Sequence, residues 1–133
     1  MMWTDYLIEN KAIKAIFGDK EPSLERIHIL EISHLSPTNI DIVFELNVMP
    51  DPLPKRWAAN RAKVCVIGLS FYNKDNTPIF NYANLNIEQN NQMTMEIEME
   101  STDKKRVVIR NLKGVSFIEL KADFLSILRF GYR

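Results

Sequence analysis

Apolar and polar residues alternate along most of the chain, and the alternation begins only after Pro22. A period of two is typical of strands that bury one face. The alternation is most regular from Gln92 to Glu100, where every second side chain from Met93 onward is apolar. Together with the turn residues between the runs, it predicts the following strands: Arg26–Ser33, Asn39–Val48, Ala62–Tyr72, Asn84–Gln89, Gln92–Glu100, Lys105–Leu112, Val115–Ala122 and Phe124–Phe130. The segment Ile79–Tyr82 is a further candidate strand.

The residues before Pro22 predict one helix, from Asp5 to Phe17. Apolar side chains recur there at intervals of three and four, which places them on one broad face. Thr4 is the expected N-cap, because its hydroxyl can accept a hydrogen bond from the first turn. Gly18 stands where a glycine commonly ends a helix.

This order of elements predicts an α+β fold, because no second long helix separates the strands as a parallel sheet would require. We expect a single domain over residues 1–133, with an N-terminal helix followed by a mostly antiparallel curved sheet or sandwich of about seven to eight strands. The stretch Ala62–Tyr72 is apolar at nearly every position and is expected to lie centrally in the sheet. Alternate prolines make Met49–Pro54 a rigid crossing segment. The strands beginning at Lys105 and Val115 are expected to form a hairpin.

Charge and composition exclude several classes of function. The 133 residues include 17 Lys and Arg and 17 Asp and Glu, so the formal net charge is zero. The basic excess of a general nucleic-acid binder is missing, and no nucleic-acid partner is expected. No apolar run approaches the roughly 18 residues that suggest a transmembrane helix, so no membrane partner is expected. The first residues lack the pattern of a signal peptide, and the single Cys65 cannot form an internal disulfide. Both observations favour a cytoplasmic location.

Few residues are candidates for catalysis or metal binding. His28 and His34 could form a metal or acid–base pair, but on a straight strand they would be roughly 20 Å apart; strand-surface histidines are the other interpretation. Cys65 lies in an apolar strand, where a buried core thiol is a better interpretation than a nucleophile. No phosphate-binding loop, nucleophile elbow or zinc motif is present. We therefore expect no catalytic residues, no metal and no cofactor.

Two features are candidates for binding a partner. Glu96, Glu98 and Glu100 project from one face of one predicted strand, either as a solvated outer face or as a contact surface for a basic partner. Trp57 follows the proline segment and is either an exposed interface anchor or a side chain packed over the end of the sheet. We take Glu96, Glu98, Glu100 and Trp57 as the candidate partner-binding residues.

The first half of the chain resembles a family of bacterial toxin-immunity proteins, immunity protein 50. The resemblance covers roughly residues 10 to 72, and only the outline of the strands beyond them. It rests on these pieces: Ile16-Phe17-Gly18, Pro22-Ser23-Leu24, Ile27 and Ile29, Pro52-x-Pro54-Lys55-x-Trp57, and Leu69-x-Phe71.

The resemblance implies a small cytoplasmic protein, encoded beside a polymorphic toxin, that binds this cognate protein toxin and neutralises it without catalysis. It carries over no catalytic residue. Immunity proteins against nucleases often present acidic surfaces, which would suit Glu96, Glu98 and Glu100 if the toxin is basic. Two other hypotheses stay open from the residues alone. One is a β-rich module that binds a small apolar ligand, and the other is an enzyme that uses His28, His34 or the acidic residues.

Overall fold

An eight-stranded antiparallel sheet dominates the fold, and short helices precede and interrupt it. These elements are those of residues 2–84 and 92–133, the part of the chain that the computed structural model describes. The helices are a 3₁₀ turn (Trp3–Tyr6), α1 (Lys11–Phe17) and α2 (Lys55–Ala59). The strands are β1 (Ile27–Ser36), β2 (Asn39–Glu45), β3 (Cys65–Tyr72), β4 (Phe80–Ala83), β5 (Gln92–Met99), β6 (Lys105–Asn111), β7 (Ser116–Ala122) and β8 (Phe124–Tyr132). The predicted α+β, mostly antiparallel class is confirmed.

The sheet is open and strongly curved. Its strand order is β4-β7-β6-β5-β1-β2-β3-β8, so β7 and β8 lie near opposite ends. They are nevertheless consecutive in the chain and are joined only by Asp123. A single linking residue spans at most about 7 Å, because consecutive Cα atoms are about 3.8 Å apart. The end of β7 and the start of β8 must therefore lie close together at Asp123, which requires the expected curvature of the sheet.

The core lies on the inner face of this curled sheet. Alternate side chains of β2 are fully buried, namely Ile40, Ile42 and Phe44, and they pack in one cluster with apolar residues of every strand. The helices cover the cluster with Ile13 and Trp57. Each fully buried side chain of this size contributes about 1.5–3 kcal/mol relative to an exposed one. The period-two pattern in the sequence thus corresponds to the division between core and outer face.

Most strands occupy the predicted positions, with shifted ends. Strand β1 continues to Ser36 because it pairs with β2 up to the turn, and β2 ends at Glu45, ahead of the proline segment. The expected hairpin is the pair β6 and β7, and β3 is an interior strand with its first five residues buried. The further candidate strand corresponds to β4. The strand predicted over Asn84–Gln89 falls, apart from Asn84, outside the described residues.

The single N-terminal helix predicted over Asp5–Phe17 is wrong. Leu7 interrupts it with an extended backbone and forms an isolated bridge with Leu125 of β8. The N–H of Ile8 donates to the carbonyl of Leu125 at 2.9 Å. This contact with a distant strand satisfies backbone groups that a helix would otherwise have to satisfy, and α1 begins only after Asn10, which replaces Thr4 as the N-cap residue.

Two further observations concern the helices. Gly18 ends α1 as predicted and has a φ of 69°, which glycine adopts without steric cost. Helix α2 was not predicted. It is one short turn that follows Pro54, and a single turn leaves too few residues for a periodic signal.

Candidate functional site

The predicted acidic residues lie on the outer face of β5, where they form ion pairs with β6. An Nη1 atom of Arg106 lies 3.1 Å from Glu98 Oε1, and an Nη1 atom of Arg110 lies 2.7 Å from Glu96 Oε1. Glu98 is directly opposite Arg106 in the β5–β6 register, whereas Arg110 is one step along the same face from Glu96. Cross-strand neighbours at these positions are close enough for their side chains to pair.

The ion pairs extend to β7 and include the third acidic residue. The Nζ atom of Lys121 lies 2.9 Å from Glu100 Oε1. The Nε atom of Arg106 lies 3.1 Å from Glu119 Oε1, so one guanidinium joins Glu98 and Glu119. The hydrogen bond from Arg106 holds the pKa of Glu119 below its ordinary value. The outer face of β5, β6 and β7 therefore carries both acidic and basic side chains. Only β5 contributes acidic side chains without basic ones.

A cleft of about 540 Å³ lies beside this acidic side, between β5 and the segment that precedes β1. We call it the acidic cleft. Its lining includes four carboxylate side chains: Glu21, Glu25, Glu96 and Glu98. Among the described residues that line it, none is Lys or Arg. Glu21 and Glu25 have no basic partner within the described part of the chain. Two of the four carboxylates in the cleft, Glu21 and Glu25, therefore keep their charge without an ion pair to a described residue.

Trp3 positions the wall of the acidic cleft. Its backbone N–H donates to Glu21 Oε2 at 2.6 Å, and its indole Nε1–H donates to the carbonyl of Pro22 at 2.9 Å. The N–H of Met95 donates to the carbonyl of Leu24 at 3.0 Å, which ties the wall to β5. A buried Trp commonly needs a partner for its N–H.

Trp3, Glu21 and Glu25 were not predicted as site residues. The only sequence signal was a Trp near the N-terminus whose indole would need a partner if buried, and nothing in the local pattern indicates that Glu21 and Glu25 lie beside β5. This proximity arises from contacts between residues far apart in the chain.

Trp57 lies beside β8, the last strand in the sheet order, and is only 7% exposed. Its ring centroid is 5.2 Å from that of Tyr132 and 5.9 Å from that of Phe130. It forms one wall of a second open cleft of about 540 Å³, which we call the Trp57 groove. Its other lining residues are Ala12, Ala15, Ile16, Arg56, Phe130, Gly131 and Tyr132. Trp57 thus mainly packs over the end of the sheet, and the structure does not bring it together with the acidic row.

The histidines contact different neighbours. His28 Nδ1 lies 3.0 Å from Glu45 Oε1, and the ring of His34 meets that of Phe80 edge-on, at 4.8 Å between centroids. Within residues 2–84 and 92–133, no three His, Cys, Asp or Glu side chains are arranged to hold a metal ion. No helix in the same ranges has the length and apolar character needed to cross a bilayer.

Cys65 is fully buried, and burial raises the pKa of its thiol to about 12. We expect the folded protein not to react with iodoacetamide at pH 8, because both access and the thiolate are lacking. Mass spectrometry should detect alkylation only after denaturation in urea. Rapid alkylation of the native protein would contradict this placement of Cys65.

The sequence is similar to one known protein family over most of its length. The family model described as immunity protein 50 matches residues 9–132, so the similarity extends well beyond residue 72 and includes the C-terminal strands. No curated protein and no solved structure matched the chain. The family consists of non-catalytic inhibitors, which excludes the enzyme hypothesis. The chain belongs to the immunity protein 50 family, and it is an immunity protein of a polymorphic toxin system that neutralises a cognate toxin.

Proposed function

We propose that this immunity protein binds a basic toxin one to one, in the cytoplasm, through the acidic cleft and the adjoining face of β5. One observation carries the proposal: four carboxylates line a cleft that has no Lys or Arg among its described lining residues. Glu96 and Glu98 belong to this surface, and Glu100 continues it at the end of β5. The net charge of the chain is zero, so attraction to a basic partner must come from such a local surface.

The ion pairs within the outer face do not prevent this role. The side chains of Glu96 and Glu98 are 55% and 61% exposed. Exposed ion pairs contribute only about 0–1 kcal/mol each, so the carboxylates can exchange their Arg partners for toxin residues at little cost. Glu21 and Glu25 add two carboxylates that form no ion pair with the described residues.

Reversing the charge of the β5 row tests the proposal. We expect Glu96→Lys with Glu98→Lys to slow association with the toxin roughly tenfold at low ionic strength, because complementary charge mainly accelerates encounter. The difference should shrink as salt is added, since salt screens exposed charges. The measurement is stopped-flow association with the purified product of the adjacent toxin gene, after light scattering has established the stoichiometry.

Glu31→Lys with Asp51→Lys is the matched control. It makes the same change in net charge at two exposed positions that do not line the acidic cleft. If both double variants associate at the same rate as the unmodified protein, the acidic cleft is not the contact surface.

The Trp57 groove is the alternative surface for the toxin. Its lining is mainly apolar, and aromatic and aliphatic pockets of this kind often receive interface anchors. Trp57 would then act as a wall of the groove, with little exposed area of its own. An unchanged rate for the charge-reversed variant, combined with loss of binding when Ala15 is replaced by Arg, would favour the groove.

A further inference from the structure

Strand β5 is paired along its length on one side but only at its start on the other. Its pairing with β6 runs from Met93 to Met99. Its pairing with β1 consists of Met93 with Ile27 and Gln92 with His28. Beyond these two pairs, the side of β5 that faces away from β6 borders the acidic cleft.

The backbone groups on this open side belong to alternate residues of β5. The N–H of Met95 donates to the carbonyl of Leu24 at 3.0 Å, so the backbone N–H and carbonyl of Met95 point away from β6. Successive residues of a strand direct their backbone groups to opposite edges. The backbone N–H and carbonyl of Ile97 therefore point the same way as those of Met95, whereas the backbone groups of Glu96 and Glu98 point toward β6. Among the described residues, none accepts a hydrogen bond from the N–H of Ile97, and Ile97 lines the cleft.

An unpaired strand edge is a template for another strand. The carboxylates around this edge decide which strand it can accept. A second copy of β5 would bring its own Glu96 and Glu98 against the same charges, and like charges across neighbouring strands are destabilising. An extended segment that carries Lys or Arg meets complementary charge instead. The surroundings of the edge therefore favour a basic strand and disfavour self-association.

We infer that the cognate toxin adds an extended, basic segment as a strand along the open edge of β5. The inference rests on the proposed function and specifies which kind of toxin element fills the acidic cleft. The N–H and carbonyl of Ile97 pair with the backbone of the segment, and its Lys or Arg side chains reach Glu21 and Glu25. The open part of this edge, from Glu96 to Met99, is about 10 Å long, which matches about three residues of extended chain at about 3.3 Å each.

Replacing Ile97 by proline tests the backbone pairing. Proline removes the N–H that faces the cleft and leaves the N–H groups of Glu96 and Glu98, which bond β6. It is tolerated in edge strands where the N–H faces solvent. Ile97→Ala is the matched control, because it removes the side chain and keeps the N–H. We expect Ile97→Pro to bind the toxin at least about tenfold more weakly than Ile97→Ala, as expected for the loss of one backbone hydrogen bond. Equal affinities of the two folded variants would overturn the inference.

Amide hydrogen exchange on the unmodified protein gives a readout that does not depend on the folding of a variant. We expect the Ile97 amide to exchange rapidly in the free protein and at least about tenfold more slowly in the 1:1 complex. Equally rapid exchange in the complex would overturn strand addition by the toxin. Protection of Ile97 that rises with the concentration of the free protein would also overturn it, because a second copy would then be the occupant.

This test separates the inference from the proposed function. If the charge reversal at Glu96 and Glu98 slows association but the Ile97 amide stays unprotected in the complex, the toxin binds the acidic face without pairing with β5. Only the inference of strand addition then fails. If the charge reversal has no effect on association, the proposed surface itself is wrong.

Discussion

Replacing Trp57 by alanine is expected to lower the free energy of unfolding by about 3–5 kcal/mol, the range for large aromatic side chains removed from a core. Trp57 is 7% exposed and packs against Phe130 and Tyr132 near the end of β8. The short helix α2 holds it there, directly after the proline segment. The alanine variant would leave a cavity where α2 meets β8, which the surrounding backbone can fill only in part. Urea denaturation followed by circular dichroism measures the loss.

Trp57→Phe separates packing from toxin contact. Phenylalanine keeps an aromatic ring where α2 meets β8, so the variant should retain most of the stability that is lost in Trp57→Ala. Its affinity for the toxin should equal that of the unmodified protein if the acidic cleft is the contact surface. A stable Trp57→Phe variant with much weaker toxin binding would contradict that assignment and would place the toxin in the Trp57 groove.

Replacing Asp123 by alanine is expected to cost about 3 kcal/mol of stability, because it leaves buried polar groups without their partner. Asp123 is 5% exposed. Its Oδ1 lies 3.0 Å from the ammonium of Lys104, and its Oδ2 accepts the N–H of Lys74 at 3.0 Å. Its own N–H donates to Asn73 Oδ1 at 3.0 Å. This residue therefore ties the junction of β7 and β8 to the segment that follows β3.

Asp103→Ala is the control for this prediction. Asp103 is exposed in the turn before β6, so its replacement should change the stability by less than about 0.5 kcal/mol. Urea denaturation of both variants under the same conditions gives the comparison. Equal midpoints for Asp123→Ala and Asp103→Ala would show that the buried contacts of Asp123 do not stabilise the fold.

The contribution of Asp123 should also depend on pH. Burial opposes its ionisation, but the N–H of Lys74 and the ammonium of Lys104 outweigh burial and hold its pKa below the ordinary value of 3.8. A depressed pKa in the folded state means that the stabilisation is present above the unfolded pKa and is lost as the pH falls through the folded pKa. We expect the stability difference between the unmodified protein and Asp123→Asn to be constant near neutral pH and to narrow below about pH 4.

Much of the local structure was predictable because each strand carries its own signal. The alternation of Met93, Met95 and Ile97 with polar residues identified β5, and Gly18 identified the end of α1. The acidic row was found by the same reasoning, since a period of two places Glu96 and Glu98 on one face. The ion partners of that row were not found, because they depend on which strand lies beside β5.

The pattern of residues along the chain was enough to predict most strands and the class of fold. Phe17-Gly18, Pro22-x-Leu24 and the approach to Trp57 were enough for the resemblance to the immunity protein 50 family. Contacts in three dimensions were needed to show that Leu7 leaves the helix to meet Leu125 and that Trp57 is buried. The same holds for the position of Glu21 and Glu25 beside β5. The difference arises from the sequence separation of the interacting residues. Periodicity reports which side of its own strand a residue faces, whereas the acidic cleft and the open edge at Ile97 depend on strand order and on contacts between distant segments. Those contacts form only when the whole sheet assembles.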